Sequence, residues 1–127
     1  MAQKSKHTLP ELFHKALRLG GDTHTFEDII DGINRGRYQF WGDEDCCVVT
    51  EIIQYPRKKE LNLFLAAGDL TRLLDQYLPD VKEFARQNGC YALVSVSRKG
   101  FLKRFPQYGF KPKFVTFELP IGESENV

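Results

Sequence analysis

Residues 61–110 read LNLFLAAGDLTRLLDQYLPDVKEFARQNGCYALVSVSRKGFLKRFPQYGF, and this stretch decides the fold. Leu61, Leu63, Leu65, Ala66 and Ala67 make a mostly apolar strand that Gly68-Asp69 ends. Asp69 suits a helix N-cap, with its carboxylate near the free N–H groups of the next turn. Leu70, Leu73, Leu74, Tyr77, Leu78, Val81, Phe84 and Ala85 then recur at three- and four-residue steps as one helical stripe. The stripe predicts a single helix that runs through Pro79, bent rather than broken, because packing on both sides offsets the missing hydrogen bond. Asn88-Gly89 closes it with residues that tolerate the left-handed region. Ala92 to Val96 is a β-branched run too short for a helix, and Arg98 to Tyr108 reads as a short helix with Pro106 late in it. A strand, a long helix and a strand form a βαβ unit, with parallel strands and a right-handed crossover. Ligands of such units sit beyond the carboxyl end of the first strand, here around Ala67 to Thr71.

Upstream, Thr8-Leu9-Pro10-Glu11 has the form of a capping box. Leu9, Leu12, Phe13, Ala16 and Leu17 make one helical face, stopped at Gly20-Gly21. A second helix starts at Thr25, buries Phe26, Ile29, Ile30 and Ile33, and ends at Gly36. Tyr38 to Trp41 and Cys46 to Gln54 are strands joined by the turn Gly42-Asp43-Glu44-Asp45. In the second strand Cys47, Val49, Glu51 and Ile53 share a face, and Cys46 and Cys47 point oppositely, one inward and one outward. The turn at Tyr55-Pro56-Arg57 leads to the strand at Leu61, so the three strands form an antiparallel meander. Phe114 to Leu119 reads as a last strand. The order is ααβββαβαβ, an α+β fold with about five strands in a mixed sheet and helices on both faces.

Bulk composition narrows the class. The chain has 127 residues, 42% hydrophobic and 28% charged, which suits one domain over residues 1–127 with polar tails at 1–7 and 122–127. A net charge of +1 argues against general nucleic-acid or membrane affinity, although a local patch still counts. Three cysteines, two of them adjacent, make a poor disulfide framework and point to a reducing compartment. The histidines are not spaced with the cysteines for zinc, so no metal is expected. No apolar run approaches the length of a membrane span.

The element order, together with Asn88-Gly89-Cys90 entering one strand and Tyr108-Gly109-Phe110-Lys111 closing the last helix, resembles the GNAT (Gcn5-related N-acetyltransferase) fold. The likeness covers about Thr8 to Leu119; the usual first strand of that sheet has no counterpart, since no apolar run precedes Thr8. More narrowly, Tyr55-Pro56-Arg57, Leu61-Asn62-Leu63 and Ala66-Ala67-Gly68-Asp69-Leu70 look like short GNAT-like proteins encoded by tailed phages. That resemblance implies a binding or virion-associated component with other phage or host proteins as partners, located in the host cytoplasm or the virion. The alternative it implies is an acetyl-CoA-dependent N-acetyltransferase with a non-standard cofactor loop.

GNAT enzymes bind the acetyl-CoA pyrophosphate at a Q/R-x-x-G-x-G/A turn, through backbone N–H groups at a helix N-terminus. Here the matching residues are Ala66, Ala67, Gly68, Asp69, Leu70, Thr71 and Arg72, with one glycine and no basic lead residue. Asp69 puts a like charge there, which at about 4 Å costs roughly 1 to 4 kcal/mol per phosphate charge. Arg72 offsets part of that, and Asp69 also reads as a plain helix cap. The resemblance implies no cofactor if the site is eroded and acetyl-CoA if it works.

The family's tyrosine acid falls at Phe105, which has no proton to give; Tyr108 is the weak substitute. Glu51, the one acid placed within a strand, is a weak candidate base, or else an edge charge that discourages aggregation. Arg98, Lys99, Lys103, Arg104, Lys111 and Lys113 gather without an acid between Tyr91 and Phe117. They read as a solvated face or as an anion site for CoA phosphate, nucleic acid or another polyanion.

Overall fold

A computed structural model describes residues 9–19, 23–97 and 103–122. They fall into two compact units, Met1–Ser95 and Val96–Val127.

The first unit is a sheet covered on both faces. Helix α1 spans Leu9–Leu19 and helix α2 spans Phe26–Asn34. The Thr8 half of the first capping box and Gly20-Gly21 lie outside the described residues. α2 carries a complete box: the Thr25 hydroxyl accepts from the Asp28 N–H at 3.1 Å, and the Asp28 carboxylate accepts from the Thr25 N–H at 2.8 Å. Strands β1 (Tyr38–Gly42), β2 (Cys46–Gln54) and β3 (Lys59–Gly68) form the expected antiparallel meander. Helix α3 follows over residues 70–87, and β4 (Ala92–Val94) pairs in parallel with β3, so the βαβ unit is present. Among the described residues the sheet has four strands, in the order β1-β2-β3-β4.

Phe13, Leu17, Ile29, Tyr38, Cys47, Val49 and Leu65 form the core under α1 and α2. Cys46, Val48, Leu61, Leu73, Val81 and Ala85 form the core under α3. Because both faces are covered, the expectation of one outward thiol fails: Cys46 and Cys47 are both fully buried, one in each core. Ile30, expected in the α2 stripe, is exposed.

Leu61 and Leu65 lie on opposite faces, although their even spacing places them together. Val49 pairs with Leu65 and Thr50 with Leu63, so Phe64 is an extra residue, a bulge on β3. One inserted residue inverts the side-chain alternation beyond it. Phe64 and Leu65 thereby both join the α1/α2 core.

α3 is continuous through Pro79. It is α-helical over Leu70–Arg72, π-helical over Leu73–Tyr77 and α-helical again over Leu78–Gln87. The Leu78 N–H bonds back to the Leu73 carbonyl, one residue further than in an α-helix. This wide turn immediately precedes the proline, which has no N–H of its own and crowds the carbonyl four residues back. Leu73, Leu74, Leu78, Val81 and Ala85 are buried on both sides of it, so the stripe holds the two segments as one element.

In the second unit, Lys103-Arg104 turns into a 3-10 helix, Phe105–Tyr108, closed by Gly109 at φ 93°. The Phe105 and Phe110 rings stack at 4.7 Å. The longer helix expected from Arg98 has its start outside the described residues. Residues 110–121 form neither helix nor strand, which corrects the expected last strand over Phe114 to Leu119. A strand exists only as a member of a hydrogen-bonded ladder, and the described residues of this unit include no second strand. Phe114, Val115, Phe117, Leu119 and Ile121 are exposed instead.

Candidate functional site

The sheet opens as a fork. β3 and β4 pair at Glu60 with Ala92, Leu61 with Leu93 and Asn62 with Val94, where β4 ends while β3 runs on. β3 continues to Gly68 with only β2 beside it, so among the described residues its other edge has no strand paired to it from Leu63 onward. The Ser95 hydroxyl lies 3.3 Å from the Leu63 carbonyl at the root of the fork. The bulge at Phe64 sits just above. At the open end, Gly68 hands over to α3.

That handover is tightly built. Gly68 has φ 87°, and a Cβ there would lie 2.1 Å from the Asp45 carbonyl oxygen. Only glycine lets the β1–β2 turn approach so closely. The Asp69 N–H donates to the Asp45 carbonyl at 3.1 Å, and the Asp69 carboxylate caps α3 by accepting from the Arg72 N–H at 3.1 Å. The cap expected from the sequence is therefore present, and it uses Asp69 at both ends.

Arg72 does not face an open turn. Its Nη1 donates to Asp43 Oδ1 at 3.1 Å and Asp45 Oδ2 at 2.8 Å, and its Nη2 to Asp43 Oδ2 at 2.6 Å. Its Nε donates to Gln76 Oε1 at 3.1 Å, which commits four of the five guanidinium N–H groups. The Tyr77 hydroxyl donates to Asp43 Oδ2 at 2.6 Å. Partial burial pushes the Asp43 carboxyl up, but the Tyr77 hydroxyl, the Asp45 and Cys46 N–H groups and Arg72 together hold it below the ordinary value of 3.8. Partial burial opposes the Arg72 charge as well, and Asp43 and Asp45 overcome it, so the guanidinium holds its proton more firmly than usual. Sequence reading missed Asp43, Asp45 and Tyr77. The acidic run at Asp43–Asp45 was visible, but nothing local said that it meets Arg72.

Solved structures share this architecture at low identity. A probable acetyltransferase superposes with a TM-score of 0.69 at 15% identity, over 91% of this chain and 92% of that one. An acetyltransferase of Trypanosoma brucei gives 0.60 at 17% identity, over 91% and 97%. An aminoglycoside N-acetyltransferase in complex with CoA gives 0.65 at 13% identity, over 87% and 85%. No family model and no curated protein sequence matches the chain. The fold is that of the GNAT acetyltransferases.

Within this GNAT fold, Glu51 pairs in register with Asn62, which itself pairs with Val94. Glu51 thus lies in the row where the fork opens, about two strand spacings, roughly 10 Å, from β4. Its carboxylate accepts from Arg37 Nε at 3.1 Å and is one-fifth exposed. It is not the one acid in a strand, because Glu60 also lies in β3, where its carboxylate accepts from the Tyr91 hydroxyl at 2.9 Å. Asn62 is a polar residue in the same row that sequence reading passed over; an amide within Leu61-Asn62-Leu63 was the signal for it.

The Gly68–Arg72 turn and Glu51 belong to opposite ends of the fork, since Gly68 pairs with Cys46 and Asn62 with Glu51. Tyr108 ends the 3-10 helix of the second unit and is partly buried. Lys103, Arg104, Lys111 and Lys113 are exposed in that unit, flanking its helix; Arg98 and Lys99 lie outside the described residues. Cys47 is inert, its thiol pushed up to about 12 by burial. Among the described residues no group of histidine, cysteine and acidic side chains could hold a metal ion, and no helix is long and apolar enough to cross a membrane.

Proposed function

We propose that the chain is an acetyl-CoA-dependent N-acetyltransferase with a non-standard donor turn. The fork carries this reading: a β3 edge with no strand beside it among the described residues, beyond three parallel pairs with β4, leads straight to the N-terminus of a long helix. The pantetheine arm of CoA is a chain of amides, which suits an unpaired strand edge. When bound, acetyl-CoA supplies an activated acyl group. The edge from Leu63 to Ala67 would hold the arm and Gly68 to Arg72 would face the phosphates. Glu51 is the candidate base in the row where the fork opens, and Tyr108 the candidate acid.

The edge fits the donor better than the turn does. The Asp69 N–H is taken by Asp45, the Asp69 carboxylate stands at the helix end, and Arg72 is held by two acids. Donor binding is therefore expected to be weak, with a dissociation constant between about 10 μM and 1 mM, inside the usual span of Michaelis constants. Isothermal calorimetry with acetyl-CoA and CoA tests this. Absence of binding at millimolar donor overturns the enzyme reading.

The engaged Arg72 favours a second reading, a GNAT-fold protein with an eroded cofactor site. Such a protein would act as a non-catalytic binding or virion-associated component of a tailed phage, with phage or host proteins as partners. The exposed Lys103, Arg104, Lys111 and Lys113 would serve a polyanion there, and such binding would weaken steeply with salt.

A further inference from the structure

We propose that Asp43 and Asp45 hold Arg72 in an autoinhibitory contact, so that this guanidinium reaches an anionic donor only by leaving them. The proposal rests on the acetyl-CoA reading above and adds the device that sets its affinity. Arg72 is the one basic residue between Ala66 and Arg72. As the chain folds, three of its N–H groups go to the two carboxylates of the β1–β2 turn and a fourth to Gln76.

The backbone that carries the acids is the fixed side of the contact. The Asp43 N–H donates to the Cys46 carbonyl at 2.8 Å, and the Asp45 N–H donates to Asp43 Oδ1 at 2.8 Å. The Asp69 N–H then ties the Asp45 carbonyl to the start of α3. Gly68 closes beneath this turn with no room for a Cβ. Arg72 is the movable side: its side chain is 36% exposed and joined to its helix by a long, rotatable stem. A phosphate arriving at the turn must therefore compete with two carboxylates for one guanidinium. Binding free energy spent on that exchange is missing from the observed affinity.

The test is calorimetry with acetyl-CoA on the wild type, Asp45→Asn, Asp43→Asn/Asp45→Asn, Arg72→Gln and the triple variant. Asparagine at both positions keeps a side-chain acceptor and removes the charge. The double variant is expected to bind acetyl-CoA about tenfold tighter or more, with Asp45→Asn between it and the wild type. Arg72→Gln is expected to weaken wild-type binding, because it leaves two unpaired carboxylates beside the phosphates, and to cost more in the double variant, where it abolishes the gain. That non-additivity is the signature of one guanidinium shared by two partners. Acetyl-pantetheine, which lacks the phosphates of CoA, is expected to bind all the folded variants alike. Circular dichroism confirms folding, and Asp45→Asn, which leaves the Asp43–Tyr77 bond in place, carries the test if the double variant unfolds.

A gain that persists in the triple variant overturns the proposal, because the acids would then act by general repulsion. Wild-type binding with no gain in Asp45→Asn or the double variant also overturns it, while leaving the acetyl-CoA reading intact. No binding by any variant sinks both.

Discussion

Asp43 collects more interactions than any neighbouring carboxylate in the β1–β2 turn: Arg72 on both oxygens, the Tyr77 hydroxyl and the Asp45 N–H. Its pKa in the folded chain lies below the ordinary 3.8. A depressed carboxyl contributes stability that is present above its unfolded value and lost as pH falls through the folded one. Asp28, lowered by its hydrogen bonds to Thr25, acts in the same direction. The melting-temperature gap between wild type and Asp43→Asn is therefore expected to be widest near neutrality and to shrink below about pH 4. Thermal melts from about pH 7 to pH 2 check this; a gap independent of pH would mean that Asp43 titrates normally. The thiols give a second check at this scale. Cys46 and Cys47 are fully buried, whereas Cys90 is only partly so. In native protein an aromatic disulfide reagent is expected to modify Cys90 first, and the other two only on unfolding.

Among the elements, α2 depends most on its ends. It has only nine residues, and isolated helices of that length are marginal in water. The Thr25–Asp28 box satisfies its first N–H groups, and Ile29, fully buried, anchors it to the α1/α2 core. Thr25→Ala is expected to cost about 1 kcal/mol, read as a lower midpoint in urea with an unchanged slope. α3 shows the opposite balance. Its cap at Asp69 matters, but Leu73, Leu74, Leu78, Val81 and Ala85 carry it across Pro79, and the π turn absorbs the proline's ring. β3 shows how one residue sets a face. The bulge at Phe64 turns Leu65 toward α1 and α2 at the height where the fork opens, so the sheet's irregularity and its candidate site coincide.

At the scale of the whole molecule, the two units differ in how they are held. The first has two cores on a covered sheet. The second presents an irregular run from Lys111 to Ile121, exposed throughout. Lys113 precedes Phe114 there, whereas Lys111 precedes Pro112, which blocks trypsin. Limited trypsin digestion is expected to cut after Lys113 sooner than anywhere within residues 23–95, with the released peptide identified by mass. Earlier cleavage inside the sheet unit would show that the irregular run is protected in solution.

Much of this was legible along the chain. The stripe of α3, the caps at Thr25 and Asp69 and the exits at Gly36 and Gly89 depend on residues a few positions apart, and the meander and the parallel βαβ unit follow from the order of elements and the lengths of their connections. The Phe64 bulge depends on which residue of β2 faces which residue of β3, and no spacing within β3 announces it. The Asp43–Arg72–Asp45 contact joins side chains 29 and 27 positions apart, so the Arg72 charge, which along the chain reads as a partial offset to Asp69, is already taken by two other acids. Phe114 to Leu119 has the composition of a strand, but a strand also needs a partner. By itself the sequence determined helix ends, periodicity and the order of elements, because these are set by neighbouring residues. Register, the pairing of charges and the completion of a ladder were decided only by the tertiary structure, because each requires a second segment brought in from far along the chain.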